Sequence, residues 1–485
     1  MSSDVVAKKV IPIQPVKSGG KDSSEFSLYE KTEKVYPRSV SGQFARLRWV
    51  MVWVTQIVFY GLPWLQWNDR QAVLFDLAER RFYVLGLVLH PQDFIYLAVL
   101  LIIAALALFF FTAIAGRLWC GYACPQTVYT EIFLWVERHT EGDRQARMRM
   151  DSAPWGVSKM ARKVSKQLVW MGIALITGLT FVGYFSSIRG MLSELSNSTF
   201  SSWEWFWVLF YGLATYGNAG YLREQISKHM CPYARIQSAL IDMDSMVIAY
   251  DEQRGESRGS RSRGADPAAL GLGDCIDCTL CVQVCPTGID IRKGLQNECI
   301  ACAACIDVCD QVMEKMDYPK GLIRYTSGNG IMQQLSARQI IKRISRPRVW
   351  IYYTLLCLVC SVFTFSLVTR KSFSVDIIKD RGSLAREVGR GEIENVYRMQ
   401  IMNGLEEKQH FTVNVSGLPS LRISSDVQLE VQAIGIGSLP IRLTLPSEVA
   451  ALYRGKTLPV VFEVHASAGT GQEIRQEKST FYVLP

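Results

Sequence analysis

Histidine is scarce in this 485-residue chain, where only His90, His139, His229, His410 and His465 occur. None falls in the middle of a long apolar stretch, so a heme relay inside a membrane would lack axial ligands. Charge is absent from five stretches, residues 49–66, 94–116, 167–188, 205–222 and 349–369, each of 18 residues or more. As helices these are long enough to cross a hydrocarbon core of about 30 Å. The expectation is a polytopic α-helical membrane protein with about five spans. The fourth stretch carries the weakest signal, being short and holding Asn218 and several glycines, and Pro63 lies near the end of the first. No cleavable signal peptide is expected, because the first 45 residues are polar. Cysteine is missing after Cys360, so a C-terminal domain would have to be stable without a disulfide.

Positive charge is unevenly distributed around those stretches. Lys8, Lys9, Lys17, Lys21, Lys31, Lys34, Arg38, Arg46 and Arg48 precede the first. Arg117, Arg138, Arg144, Arg147, Arg149, Lys159, Arg162, Lys163 and Lys166 connect the second to the third. The opposite connections hold Arg70, Arg80, Arg81 and Arg189, so the count is eighteen against four. Cytoplasmic loops carry such an excess. The N-terminal segment 1–48 is therefore expected in the cytoplasm and the C-terminus outside, as an odd number of spans requires. The net charge of +9 then reflects membrane topology and gives no reason to expect a nucleic-acid partner.

Eight of the thirteen cysteines form two tandem runs. The first is Cys275-x2-Cys278-x2-Cys281-x3-Cys285-Pro286, and the second is Cys299-x2-Cys302-x2-Cys305-x3-Cys309, followed by Asp310. Spacings of two, two and three let one tight loop aim three thiolates at an iron–sulfur cube, while the fourth thiolate serves the neighbouring cube. The runs therefore assign Cys275, Cys278, Cys281 and Cys309 to one [4Fe–4S] cluster, and Cys299, Cys302, Cys305 and Cys285 to the other. Zinc would want two CxxC pairs and a longer spacer. A cluster domain over 268–325 follows a segment, 251–267, rich in Arg, Gly and Ser; that composition reads as a flexible linker. Beyond the span at 349–369, residues 371–485 carry alternating apolar runs at 410–415, 427–433, 441–445, 458–465 and 480–484, broken by turn clusters. Period two with regular turns predicts a β-sandwich.

Three more cysteines border the expected spans. Cys120 and Cys124 lie in Gly116-Arg117-Leu118-Trp119-Cys120-Gly121-Tyr122-Ala123-Cys124-Pro125, and Cys231 in His229-Met230-Cys231-Pro232. All three are expected at the cytoplasmic surface beside the cluster domain, in a membrane domain over 49–250. Soft sulfur ligands favour Cu(I). Cys120, Cys124 and Cys231, with Met230 or His229, could hold one copper ion, or two of the thiols could cycle with a disulfide. Ser227 stands where a second CxxxCP would need its first cysteine. Cys357 and Cys360, mid-span in the last stretch, read as apolar filler.

The combination of the 116–133 segment, His229-Met230-Cys231-Pro232-Tyr233-Ala234-Arg235 and the doubled cysteine run resembles the FixG/CcoG family of accessory proteins for cbb3-type cytochrome c oxidase assembly. The resemblance implies a multi-pass protein of the bacterial inner membrane, with a cytoplasmic bacterial-ferredoxin-like 2[4Fe–4S] domain and a C-terminal immunoglobulin-like domain outside. It also implies reduction of Cu(II) to Cu(I), with copper as substrate or transient ligand. The implied partners are a cytoplasmic electron donor, and copper chaperones or oxidase assembly factors. Membrane ferredoxins of nitrate and nitrous-oxide respiration are a more distant likeness, and Ser227 breaks their second CxxxCP motif. Two other readings are a ferredoxin-type conduit linked to quinol or a periplasmic reductase, and a non-enzymatic assembly scaffold.

Overall fold

A computed structural model of the chain describes residues 34–485 other than 69, 264, 268, 371, 381–384, 390 and 469–470. Most of the basic N-terminal segment expected over 1–48 therefore lies outside the described residues. Nine helices position the site: α1 (Gln43–Gly61), α2 (Phe94–Ala115), α3 (Leu118–Tyr122), α4 (Pro125–Glu141), α5 (Val157–Val182), α6 (Ser202–Gly220), α7 (Pro232–Leu240), α8 (Ala304–Met316) and α9 (Pro347–Val368).

Three of the five expected spans meet both the length and the composition needed to cross a membrane: α2, α5 and α9. The other two stretches also fold as helices, but each is diluted. Helix α1 begins with Arg46 and Arg48 and gives way to a short turn at Leu62–Trp64 around Pro63. Helix α6 carries Glu204 in its first turn, with Asn218 and glycines towards its end. Helices α2 and α9 pack together, with Tyr96 Oη 3.1 Å from Ser366 Oγ and Phe110 facing Tyr353 at 5.9 Å between ring centroids. Helices α5 and α6 cross closely. A Cβ on Gly178 would stand 2.3 Å from the Val208 carbonyl oxygen, so only glycine lets the backbones approach this far. Trp170 of α5 stacks on Phe133 of α4 at 4.9 Å, fixing α4 against the helical layer.

The cysteine-rich domain is closed by an antiparallel pair, β1 (Val247–Tyr250) with β2 (Ile323–Thr326). It therefore starts well before residue 268, and the segment 251–267 is not the loose linker its composition suggested. Asp251 caps a short helix, Glu252–Gly255, accepting from the Arg254 backbone at 3.2 Å. Arg254 pairs with Asp274 and donates to the Lys320 carbonyl at 3.1 Å. Arg261 lies over the Tyr318 ring at 5.2 Å. Composition implies disorder when a segment has little apolar surface to bury; here the arginines are ordered by backbone carbonyls and a ring face.

The C-terminal region is a β-sandwich. Its strands are β3 (Phe373–Lys379), β4 (Arg386–Val388), β5 (Glu392–Asn403), β6 (Gln409–Ser416), β7 (Arg422–Ile423), β8 (Gln428–Val431), β9 (Ile436–Leu445), β10 (Thr457–Ala468) and β11 (Gly471–Tyr482). One sheet runs β7-β9-β5-β3 with β4 beside β5, and the other runs β8-β6-β10-β11. Tyr397, Phe411, Phe462 and Phe481 fill the space between them. This core packs without a disulfide because the facing inner sides of the two sheets are largely apolar.

Candidate functional site

The two cysteine runs fold as repeats of one loop. In the first, Asp277 and Thr279 take positive φ values of 52° and 57°; in the second, Ala301 and Ala303 take 55° and 60°. These are equivalent positions, one before and one after the middle cysteine. Left-handed residues are costly outside glycine, about 1–2 kcal/mol each, so four at matched positions indicate a loop wound for a purpose. Cys275, Cys278, Cys281 and Cys309 line one small cavity, walled by Leu280, Val312, Met313 and Ile323. Cys285, Cys299, Cys302 and Cys305, together with Cys281, line a second. Each cavity thus draws thiols from both runs.

Burial raises these thiols: Cys281 to about 11, Cys302 to about 11, and Cys299 and Cys309 to about 12. Sets of four sulfurs in apolar walls need a cationic group between them before they can all be thiolates. Among the described residues, no three His, Cys, Asp or Glu side chains converge closely enough to hold a single metal ion. The thiols surround volumes, and four soft donors around such a volume fit an iron–sulfur cube.

The 116–125 segment sits directly against the second loop. Arg117 donates to the carbonyls of Asn297 and Ala234. A Cβ on Gly121 would stand 2.8 Å from the carbonyl oxygens of both Ile300 and Ala301, so any larger residue would push α3 off that loop. From the same loop, Ala301 accepts from Tyr325 Oη at 2.7 Å, and Tyr325 reaches Tyr122 Oη at 3.2 Å. Arg48 of α1 donates to the Cys302 carbonyl. Asp307 of α8 accepts from the Phe44 and Ala45 backbone N–H groups at 3.1 and 2.7 Å, capping the start of α1 from another domain. The cysteine domain and the helical layer are therefore joined at the second loop.

Cys120, Cys124 and Cys231 lie near one another at this junction, with Cys124 and Cys231 in electrostatic reach of Cys120, but they are not closed into a three-ligand metal site. Cys124 and Cys231 each occupy the N-cap of a helix that begins with proline, α4 and α7 respectively. A missing N–H is no loss at the first helical position, and helix N-termini favour negative charge. Cys120 donates its thiol hydrogen to Gln237 Oε1 at 2.9 Å. Burial, reinforced by neighbouring Cys124 and Cys231, pushes the Cys120 thiol up to about 12. Met230 is exposed, and His229 lies with it in the π-turn Ile226–Met230; neither is drawn in with the three sulfurs. Cys357 is exposed on α9, far along the chain from these elements.

Sequence reasoning missed Gln237, which has no spacing signature, and gave Arg117, Gly121 and Asp307 no role. Gly121 offered the one usable signal, a glycine between two cysteines where only a close approach would require it.

A domain built on doubled cysteine loops and docked to apolar helices defines a membrane-associated iron–sulfur protein. A 4Fe-4S dicluster domain profile matches residues 222–328, a 4Fe-4S binding domain profile matches 97–141, and the profile for the IG-like fold at the C-terminal of FixG matches 363–483. The Nitrogen fixation protein FixG of Rhizobium meliloti is 35% identical over 462 residues, covering 88% of each chain. Protein RdxB of Cereibacter sphaeroides is 38% identical over 446 residues, covering 90% of this chain and 92% of its own. Protein RdxA of the same organism is 38% identical over 431 residues, covering 86% and 91%. A crystal structure of a FixG-related protein from Vibrio parahaemolyticus aligns with 23% of this chain and 97% of its own, at 18% identity and a TM-score of 0.19. The chain belongs to the FixG family.

Proposed function

We propose that this protein reduces Cu(II) to Cu(I) at Cys120, Cys124 and Cys231, in support of cbb3-type oxidase assembly. Cys275, Cys278, Cys281 and Cys309 would hold one [4Fe–4S] cluster, and Cys285, Cys299, Cys302 and Cys305 the other. Such clusters supply one-electron chemistry, which matches the copper couple. The observation that carries the reading is the contact of Gly121 with the Ile300–Ala301 carbonyls, which brings the three-cysteine site against the second cysteine loop. Cys124 and Cys231 bind copper from helix N-termini. Cys120 gives up its proton as it binds, and Gln237 holds its sulfur in place beforehand. Soft sulfur favours Cu(I) once formed, so delivery calls for a partner with a competing soft site, such as a copper chaperone.

In this reading α1 and α6 also cross the membrane. The apolar side chains Trp53, Ile57, Phe206 and Leu213 stand on their outer faces. The cysteine domain is then cytoplasmic and the β-sandwich periplasmic. A reporter fused after Pro485 should be active only when periplasmic, and one inserted near Gly259 only when cytoplasmic. Matching signals at both positions would overturn the orientation.

The copper reading is tested by stopped-flow reoxidation of dithionite-reduced protein on adding Cu(II) without oxygen. Cys120→Ala, Cys124→Ala and Cys231→Ala should slow the trace about tenfold or more, for loss of a charge-assisted ligand, with cluster absorbance unchanged. Cys357→Ala and Cys360→Ala should match the parent. Parent rates in the first three variants would remove copper from this site.

A further inference from the structure

A second feature touches the same cysteine loop from the other side. Between α1, α4 and the second cysteine run lies a cavity of about 960 Å³, its open mouth included, whose lining reaches Pro286, Ile300 and Cys302. One wall is a face of α4, where Thr127, Glu131, Leu134 and Arg138 recur at three- and four-residue steps. Trp49 and Trp135 flank it.

The charges are unbalanced. Arg38, Arg48, Arg138, Arg147 and Arg223 line the space against Glu131 and Asp143. Arg147 and Arg223 share the single carboxylate of Glu137, at 2.5 and 2.9 Å, and Asp143 accepts from the Ser39 backbone at 3.1 Å. Arg48 is committed to the Cys302 carbonyl. Arg38 and Arg138 have no ion-pair partner among the described residues and stand at the exposed side. Such a cavity suits an anion with a flat, apolar portion: free guanidiniums take phosphate oxygens in pairs, and indole faces take rings. Its floor is a loop that would hold a cluster.

Reaction chemistry narrows the ligand. The clusters accept electrons singly. A reduced nicotinamide gives a hydride, which a cluster has no place to receive, whereas a reduced flavin releases electrons one at a time. We propose that this cavity binds flavin mononucleotide, with its phosphate on Arg38 and Arg138 and its ring towards Cys302. The dihydroflavin loses two electrons and two protons to become the oxidised flavin. Each electron reduces one cluster from the 2+ to the 1+ state, and the protons go to solvent. This names the electron donor of the function proposed above and rests on its iron–sulfur part, not on copper.

Equilibrium dialysis of the full-length, cluster-loaded protein in detergent tests it, without any copper assay. Flavin mononucleotide should be retained, and riboflavin, which lacks the phosphate, about tenfold more weakly. Arg38→Glu and Arg138→Glu should each weaken retention about tenfold with cluster absorbance unchanged, while Arg442→Glu on the outer domain should leave it unaltered. No retention, equal retention of riboflavin, or full displacement by equimolar inorganic phosphate would overturn the proposal. Cluster reduction by a short-chain quinol without any flavin retention would replace it with a quinol site. A copper assay that fails while flavin is retained would leave this inference standing and sink the copper reading.

Discussion

The eight cysteines of the paired loops and the three cysteines beside them hold sulfur in different ways. In the loops, each run winds one tight turn around its middle cysteine and carries on into a helix that holds Cys281 in the first run and Cys305 and Cys309 in the second, and each cavity draws sulfur from both runs. Left-handed residues at Asp277, Thr279, Ala301 and Ala303 fix that winding. At the junction, three separate elements each contribute one sulfur, two of them from helix N-caps, and a glutamine amide holds the third. Rigid, reciprocal loops suit a resident cofactor, whose ligands must not disperse. An assembly of single contributions suits cargo that must be taken up and released. The difference lies in how many elements must move to let the metal go.

The largest expected effect breaks the reciprocity of the loops. Cys309→Ala should cost the cavity of Cys275, Cys278 and Cys281 its cluster, because that cavity draws its fourth thiol from the other run. Cys285→Ala should empty the Cys299, Cys302 and Cys305 cavity instead. Iron and acid-labile sulfide, about eight of each per parent chain for two such cubes, should fall by about half in either variant. Each should leave a distinct surviving paramagnetic signal on reduction. If Cys309→Ala instead disturbed the Cys299 cavity, the crossed pairing would be wrong and each run would serve its own cluster.

Much of this comparison was legible in the residues. The doubled spacing announced both loops, because a short loop has few ways to aim thiols inward. The sandwich was legible from alternation at Gln409–Ser416 and Thr457–Ala468, but the inner strand Glu392–Asn403 was not. Buried Glu394, Asn395 and Asn403 break its pattern, and each finds a partner remote in sequence or across a turn: Arg386 for Glu394, the Tyr482 carbonyl for the Asn395 amide N–H, and the Glu407 and Gln432 carbonyls for Asn403. The 251–267 segment misled in the opposite sense, since its arginines find carbonyls that composition cannot reveal. At the three-cysteine site, CxxxCP and HMCP gave the sulfurs, while Gln237 belongs to a helix more than a hundred residues from Cys120 and carries no motif. Tertiary partners of this kind are written in the fold rather than in local spacing.

A smaller effect sharpens the same contrast at Cys120. Its folded thiol pKa is raised to about 12, first by burial and then by neighbouring Cys124 and Cys231. A free thiol loses its proton near about 8.5. A raised acid favours the fold while its proton stays on, so this contribution is complete below the unfolded value. It is then lost as pH rises towards 12, by about 1.4 kcal/mol per pH unit for one proton. Within that window a metal must displace the proton to bind. Cu(I) affinity at the junction should therefore rise with pH between 6 and 9, by up to about tenfold per unit for one proton released. Competition with a Cu(I) chelator at fixed ionic strength measures this. Cys120→Ser should bind more weakly and flatten the slope by about one proton. Gln237→Leu should keep the slope, because the proton still has to leave, while lowering affinity slightly as the sulfur loses its fixed position. A slope that Cys120→Ser leaves unchanged would mean that copper does not take Cys120 as a ligand, and the site would reduce to its two helix-capping cysteines.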